Sequence, residues 1–111
     1  MSEKTACDVA VIGGGAAGMM AAIAAAYNGN EVHIFEKNEK NGKKLFITGK
    51  GRCNITNASD VEELFQAVVS NPKFLYSAFY SFTNEQVIDF FENLGVKTKV
   101  ERGNRVFPVS D

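Results

Sequence analysis

Val9-Ala-Val-Ile-Gly-Gly-Gly-Ala-Ala-Gly18 decides the fold, and Glu31-Val-His-Ile-Phe-Glu36 completes the message. The first stretch is a β-branched run that breaks into glycine and then into alanine. The second is a short apolar run that ends on an acid. Together they predict a strand, a Gly13-x-Gly15-x-x-Gly18 turn, a small-residue helix and a second strand with Glu36 at its tip. Each glycine has its own task. Gly13 turns the chain sharply out of the strand, and Gly15 leaves bare backbone for a pyrophosphate. Gly18 lets the helix pack close to the strands. At the helix start, Ala16 and Ala17 present unpaired N–H groups and the positive end of the helix dipole to phosphate. Glu36 stands near the expected offset of about twenty residues and accepts hydrogen bonds from ribose hydroxyls. The same acid would repel a 2′-phosphate, which disfavours NADP as the ligand of this turn. A plain βαβ packing unit is the alternative reading.

Composition narrows the class. The chain has 111 residues, which suggests at most one domain, and a net charge of −1. No broad basic footprint points to nucleic acid. Hydrophobic content of 45% with 23% charged residues is that of an ordinary globular protein. Cys7 and Cys53 stand far apart, giving neither a disulfide framework nor a zinc pattern, so no metal is expected. A reduced, cytoplasmic setting follows. Val9 to Ala26 carries no charge and touches the lower length limit for a membrane span, but its glycines and alanines argue against one. The leader, residues 1–8, holds two acids against one lysine and is unlike a secretory n-region.

Further along, Asn28-Gly29-Asn30 predicts a left-handed helix stop. Residues 37–57 form a polar, glycine-bearing stretch too long for a mere connection, interrupted only by Leu45-Phe46-Ile47. Lys43, Lys44, Lys50 and Arg52 concentrate positive charge there. Ser59-x-x-Glu62 and Thr83-x-x-Gln86 resemble capping boxes, and Asn71-Pro72 resembles a cap before a first-turn proline. The aromatic stripe from Phe65 to Phe91 is expected to be core. Gly95 stops the second capped helix. Residues 96–109 alternate around Arg102-Gly103-Asn104, as a hairpin does. Ser110-Asp111 is a helix N-cap signal.

The loop is not a Walker motif, because Lys44 stands where that motif needs a glycine and no Ser or Thr follows Lys50. Its chemistry still suits a cofactor. Gly49 and Gly51 let the backbone wrap, and Arg52 can fork onto phosphate. Thr48, Asn54, Thr56 and Asn57 can bond a polar ring edge or ribityl hydroxyls. Cys53 is the one redox-capable side chain of the loop, although a single loop cysteine is more often a small packing residue. His33 on the second strand reads as structural. No catalytic acid or base can be assigned.

In Val11-Ile-Gly-Gly-Gly-Ala-Ala-Gly18, Glu36-Lys37, Gly42-Lys-Lys-Leu45, Thr48-Gly-Lys-Gly-Arg-Cys-Asn-Ile-Thr-Asn57 and Gly103-Asn-Arg-Val-Phe-Pro-Val-Ser-Asp111, the chain resembles the N-terminus of a bacterial family of NAD(FAD)-utilising dehydrogenases, or flavoproteins. That family includes aminoacetone oxidase-like and 3-dehydro-bile-acid reductase-like proteins. The resemblance implies an α/β, Rossmann-type FAD-binding domain with a substrate domain inserted later in the chain. The FAD adenosine half would lie over Gly13 to Gly18 with Glu36 on the ribose. Lys37 belongs to the same motif. Lys43, Lys44 and Arg52 to Asn57 would run along the pyrophosphate and flavin side.

The expected architecture is therefore a βαβ unit followed by helices and a β-hairpin. Residues 1–111 are expected to be the N-terminal part of a longer FAD/NAD(P)-binding domain, since two parallel strands make a half-built sheet. The alternative is a sheet completed by self-association. The expected function is an FAD-dependent oxidoreductase acting on a small-molecule substrate, with NAD(P)H or oxygen as redox partner. The 111 residues alone are expected to be inactive and colourless. Two other readings stand beside it: a dinucleotide-binding module without turnover, and a non-catalytic fragment that self-associates.

Overall fold

The computed structural model describes residues 6–110, and the chain falls into two compact units that divide between Lys50 and Gly51. Most of the leader read above (residues 1–5) and the Asp111 half of the N-cap signal lie outside the described residues.

The first unit is the βαβ element. Strand β1 (Val9–Ile12) pairs in parallel with β2 (Val32–Phe35), in the register Val9↔Val32 to Ile12↔Phe35. Helix α1 (Ala16–Tyr27) connects them and packs on both strands. Asn28 caps it, Gly29 takes φ 85°, and the Gly29 and Asn30 N–H groups bond the Ala26 and Ala25 carbonyls. This is the Schellman closure that the Asn-Gly-Asn triplet predicts. Alternation gives the sheet two unlike faces. Val9, Val11, Val32 and Ile34 are half-buried, whereas Ile12 is 82% exposed and Phe35 is exposed beside it. Only Ala22 of α1 is buried, and Tyr27 at its end is exposed.

The uncharged run that reaches membrane-spanning length is split between β1, a turn and α1. Among the described residues no helix is long and apolar enough to cross a membrane. Within the long loop the backbone makes one helical turn, α2 (Lys43–Phe46), which the sequence reading missed. Leu45, Phe46 and Ile47 stay exposed around it.

The second unit is a three-stranded antiparallel sheet with helices. The strand order is β3 (Thr56–Asn57), β5 (Arg105–Pro108), β4 (Thr98–Glu101). Strand β3 lies at the end of the stretch whose composition predicts a loop. It has two residues, and its partner lies about fifty residues away, so no local pattern announces it. The hairpin turn Arg102–Asn104 forms as expected, with Gly103 at φ 75° and Asn104 at φ 59°.

Between β3 and β4 run α3 (Val61–Gln66), a 3₁₀ turn (Pro72–Leu75), α4 (Tyr76–Ser81) and α5 (Asn84–Asn93). The capping box at Thr83 is present in both halves: Gln86 N–H bonds Thr83 Oγ1 and Thr83 N–H bonds Gln86 Oε1. The one expected at Ser59 is absent. Asp60 takes the cap position without a side-chain bond, and Ser59 Oγ instead accepts from Asn104 Nδ2. Asn71 precedes a first-turn proline as read, but its side chain makes no cap bond.

The aromatic stripe corrects the expectation of a core. Phe65 is buried and packs against the rings of Tyr76, Phe79 and Tyr80. Phe74, Tyr76, Tyr80 and Phe82 remain exposed. Short helices broken by Pro72 and Phe82 cannot keep one continuous apolar face turned inward. The buried side chains of this unit are instead Phe65, Asn84, Val106, Phe107 and Pro108.

Candidate functional site

At the end of β1 the Gly13 N–H bonds the Phe35 carbonyl at 2.8 Å, and Gly13 then turns at φ 101°. That dihedral is open to glycine and strained for other residues. Gly18 faces the other constraint. A Cβ there would collide with the Gly13 carbonyl and press on Val11 at 3.4 Å, so α1 approaches the turn only because no side chain intervenes. Gly15 is different again. Its N-cap backbone is extended, and a Cβ built on it meets nothing within 4 Å. Gly15, Ala16 and Ala17 are exposed, and no acid occupies the first turn of α1. Open space therefore adjoins the N–H groups and positive dipole end of a twelve-residue helix. That arrangement fits a diphosphate, which needs donors, positive potential and room.

Glu36 reaches back into this turn. Its Oε1 accepts the Gly14 N–H at 2.8 Å and its Oε2 accepts the Asn38 N–H at 2.7 Å. The Asn38 and then the Gly14 bond hold its carboxyl below the usual carboxylate range. Each oxygen keeps a further lone pair with which to accept from ribose. Gly14, Asn41 and Gly42 were missed as contributors. Gly42 N–H bonds the Gly14 carbonyl at 2.7 Å, and Asn41 lies against Gly14. The Asn-Gly dipeptide signals a turn, but not where the turn will dock.

The remaining predicted residues of this unit are less organised. Lys37, Lys43, Lys44 and Gly49 are exposed, and the Thr48 hydroxyl donates to the Leu45 carbonyl at 2.8 Å. A hollow of about 280 Å³ runs along Glu39 to Lys43 with Phe46 and Ile47. The backbone at Gly49, Lys50 and Gly51 is left-handed throughout, so this glycine pair turns the chain.

In the second unit Arg52 and Asn57 of the loop are bonded within the unit. Arg52 makes a two-pronged pair with Glu101, at 2.9 Å and 2.8 Å, and its guanidinium lies 3.8 Å above the Phe107 ring. This pairing, helped by Lys99, pulls the Glu101 carboxyl down to about 2. Asn57 Nδ2 donates to the Gly103 carbonyl, and its Oδ1 accepts from Ser59 N–H. Asn84, which the sequence did not mark, is buried and donates to the carbonyls of Asn57 and Ser59. Cys53 and Asn54 are exposed, and Cys53 is a free thiol. Glu101 gave no sequence signal because its partner Arg52 is 49 positions away.

The parallel pair, its crossover helix and the glycine turn define a Rossmann-type dinucleotide-binding unit. The chain belongs to the family of the HI0933-like protein Rossmann domain, whose pattern matches residues 7–111. It is similar to the 3-dehydro-bile acid delta(4,6)-reductase of Clostridium scindens, with 38% identity over 105 residues, 93% of this chain and 25% of that protein. It also resembles two ribosomal RNA dihydrouridine synthases. The Escherichia coli protein is 36% identical over 80% of this chain and 22% of its own length. The Haemophilus influenzae protein is 34% identical over 78% of this chain and 21% of its own length. The chain thus spans between a fifth and a quarter of these relatives. The family is one of FAD-binding oxidoreductases.

Proposed function

We propose that this chain is the FAD-holding segment of an oxidoreductase that adds hydrogen across a carbon–carbon double bond of a small molecule. The observation that carries the binding half is the open space at Gly15 beside the exposed start of α1, with Gly13 and Gly18 admitting no side chain. Gly15, Ala16 and Ala17 receive the pyrophosphate, and Glu36 accepts from the adenosine ribose. Lys37, Lys43 and Lys44 supply positive charge nearby in the chain, while Gly49, Gly51, Cys53 and Asn54, which are exposed, serve the flavin side. Arg52 and Asn57 shape that segment through their bonds to Glu101, Gly103 and Ser59. When bound, FAD supplies the hydride chemistry, and the protein binds and orients it.

The substrate half rests on the relatives' names. A delta(4,6)-reductase and a dihydrouridine synthase share one chemistry, saturation of a conjugated double bond. We assign NAD(P)H as the electron donor, with oxygen as the alternative acceptor, and the cytoplasm as the compartment, in keeping with the free thiols of Cys7 and Cys53. Uridine in RNA is the second reading, favoured by the names of two relatives; the net charge of −1 favours a small molecule. A dinucleotide-binding module without turnover is the remaining one.

Titration with FAD of a longer protein that carries this chain, followed by flavin fluorescence anisotropy, tests the binding half. Saturable binding that Gly15→Val weakens at least tenfold is expected, and equal affinity of the two proteins overturns the assignment. Consumption of NADH with an unsaturated ketone, but not with a uridine-bearing RNA, by a flavin-loaded protein carrying this chain tests the substrate half.

A further inference from the structure

Within the glycine turn Gly14 is buried, while its neighbours Gly15, Ala16 and Ala17 are exposed. Both peptide groups of Gly14 are committed to the protein. Its N–H goes to Glu36 at 2.8 Å, and its carbonyl takes the Gly42 N–H at 2.7 Å. Gly14 does not have the left-handed backbone of Gly13, so its own dihedral does not demand glycine. What excludes a side chain is Asn41. A methyl group at position 14 would strike Asn41 Oδ1, with Cγ at 2.8 Å and Cβ at 3.3 Å. Rotating the amide away relieves the Oδ1 and Cγ contacts, but the Asn41 Cβ at 3.3 Å must still give by a few tenths of an ångström. That shift pulls on Gly42, which stands near α1: a Cβ built on it would lie 3.5 Å from Met19.

We propose that Asn41–Gly42 is a positioning clasp for the dinucleotide turn: it grips Gly14 by its carbonyl and holds Gly15 to Ala17 outward for the diphosphate. This rests on the dinucleotide reading above. Asn41 and Gly42 act through Gly14 and do not touch the ligand.

The test uses the isotope-labelled chain, with ADP at millimolar concentration as the probe, read by amide chemical shifts and by hydrogen exchange of the Gly42 amide. The wild-type chain is expected to show a protected Gly42 amide and ADP-dependent shifts at Gly15 to Gly18. Gly14→Ala is expected to lower both the protection and the ADP affinity at least tenfold. Asn41→Gly alone keeps the Gly42–Gly14 bond and loses less than threefold. The double variant Gly14→Ala/Asn41→Gly is expected to return to within threefold of wild type. That rescue separates positioning from a general loss of stability, because a second glycine can only loosen the segment further.

A Gly42 amide that exchanges freely in the wild-type chain overturns the clasp whatever ADP does. So does a Gly14→Ala variant that binds normally, or a double variant that stays impaired. A protected Gly42 amide without any ADP-dependent shift removes the dinucleotide reading, and this inference with it.

Discussion

Around the glycine turn the chain leaves donors facing solvent, whereas in the hairpin unit Arg52 and Asn57 of the loop are bonded within the unit. Gly15 to Ala17 are exposed beside space that a methyl group would enter without contact. Arg52, by contrast, forks onto Glu101 and covers Phe107, and Asn57 joins Gly103 to Ser59. Sequence alone gives these residues the same standing, as phosphate or ribityl contacts. The difference lies in how each unit satisfies its polar groups. A helix start has N–H groups that its own ladder cannot use. A three-stranded sheet with a two-residue edge strand needs side chains to close its remaining polar edges.

Substitutions can break or sharpen this contrast. Gly18→Ala should have the largest effect, because its new atom meets the Gly13 backbone and not a movable side chain. Overpacking of this kind costs about 3 kcal/mol, and urea unfolding followed on amides of the first unit should show it there and not in the second. Asn84→Ala removes one buried donor group from two carbonyls. Leaving such acceptors without a partner costs about 2 kcal/mol, and the loss should fall on the second unit in the same experiment.

Gly15→Val should invert the pattern of Gly18→Ala. FAD affinity drops at least tenfold, about 1.4 kcal/mol, while the urea midpoint of the first unit barely moves, since position 15 adjoins open space. Thr83→Ala breaks the capping box of α5 and should cost about 1 kcal/mol. The smallest effect is one of pH. Glu101 is held at about 2 by Arg52, below its ordinary 4.5. A depressed acid contributes stability that is full above its unfolded pKa and is lost as pH falls through the folded value. The second unit should therefore weaken between about pH 4.5 and pH 2, and Glu101→Gln should flatten that dependence. Carbon-detected titration of the Glu101 carboxyl gives the direct check, and a midpoint near 4.5 would remove the pairing with Arg52.

Local chemistry was legible wherever it was sufficient. Strand β1 and helix α1 were readable from a β-branched run that meets glycine and then alanine. The Gly29 and Gly95 stops, the Thr83 box and the Arg102–Asn104 turn each follow from residues within four or five positions of one another. The places of Gly13, Gly15 and Gly18 in the backbone were legible for the same reason, since strand, turn and helix are contiguous.

Only the tertiary structure decided the rest. Strand β3 exists because β5 pairs with it from about fifty residues away. Ser59 lost its capping role because Asn104 bonds its hydroxyl while Asp60 starts the helix. Gly14 is closed to a side chain because Asn41 docks on it, and Arg52 is engaged because Glu101 reaches it. The sequence by itself determined what each segment can do, because dihedral freedom, capping and periodicity act over a turn or a strand. Which polar groups were spent inside the fold and which stayed exposed was settled by partners distant in the chain, and no local pattern encodes those.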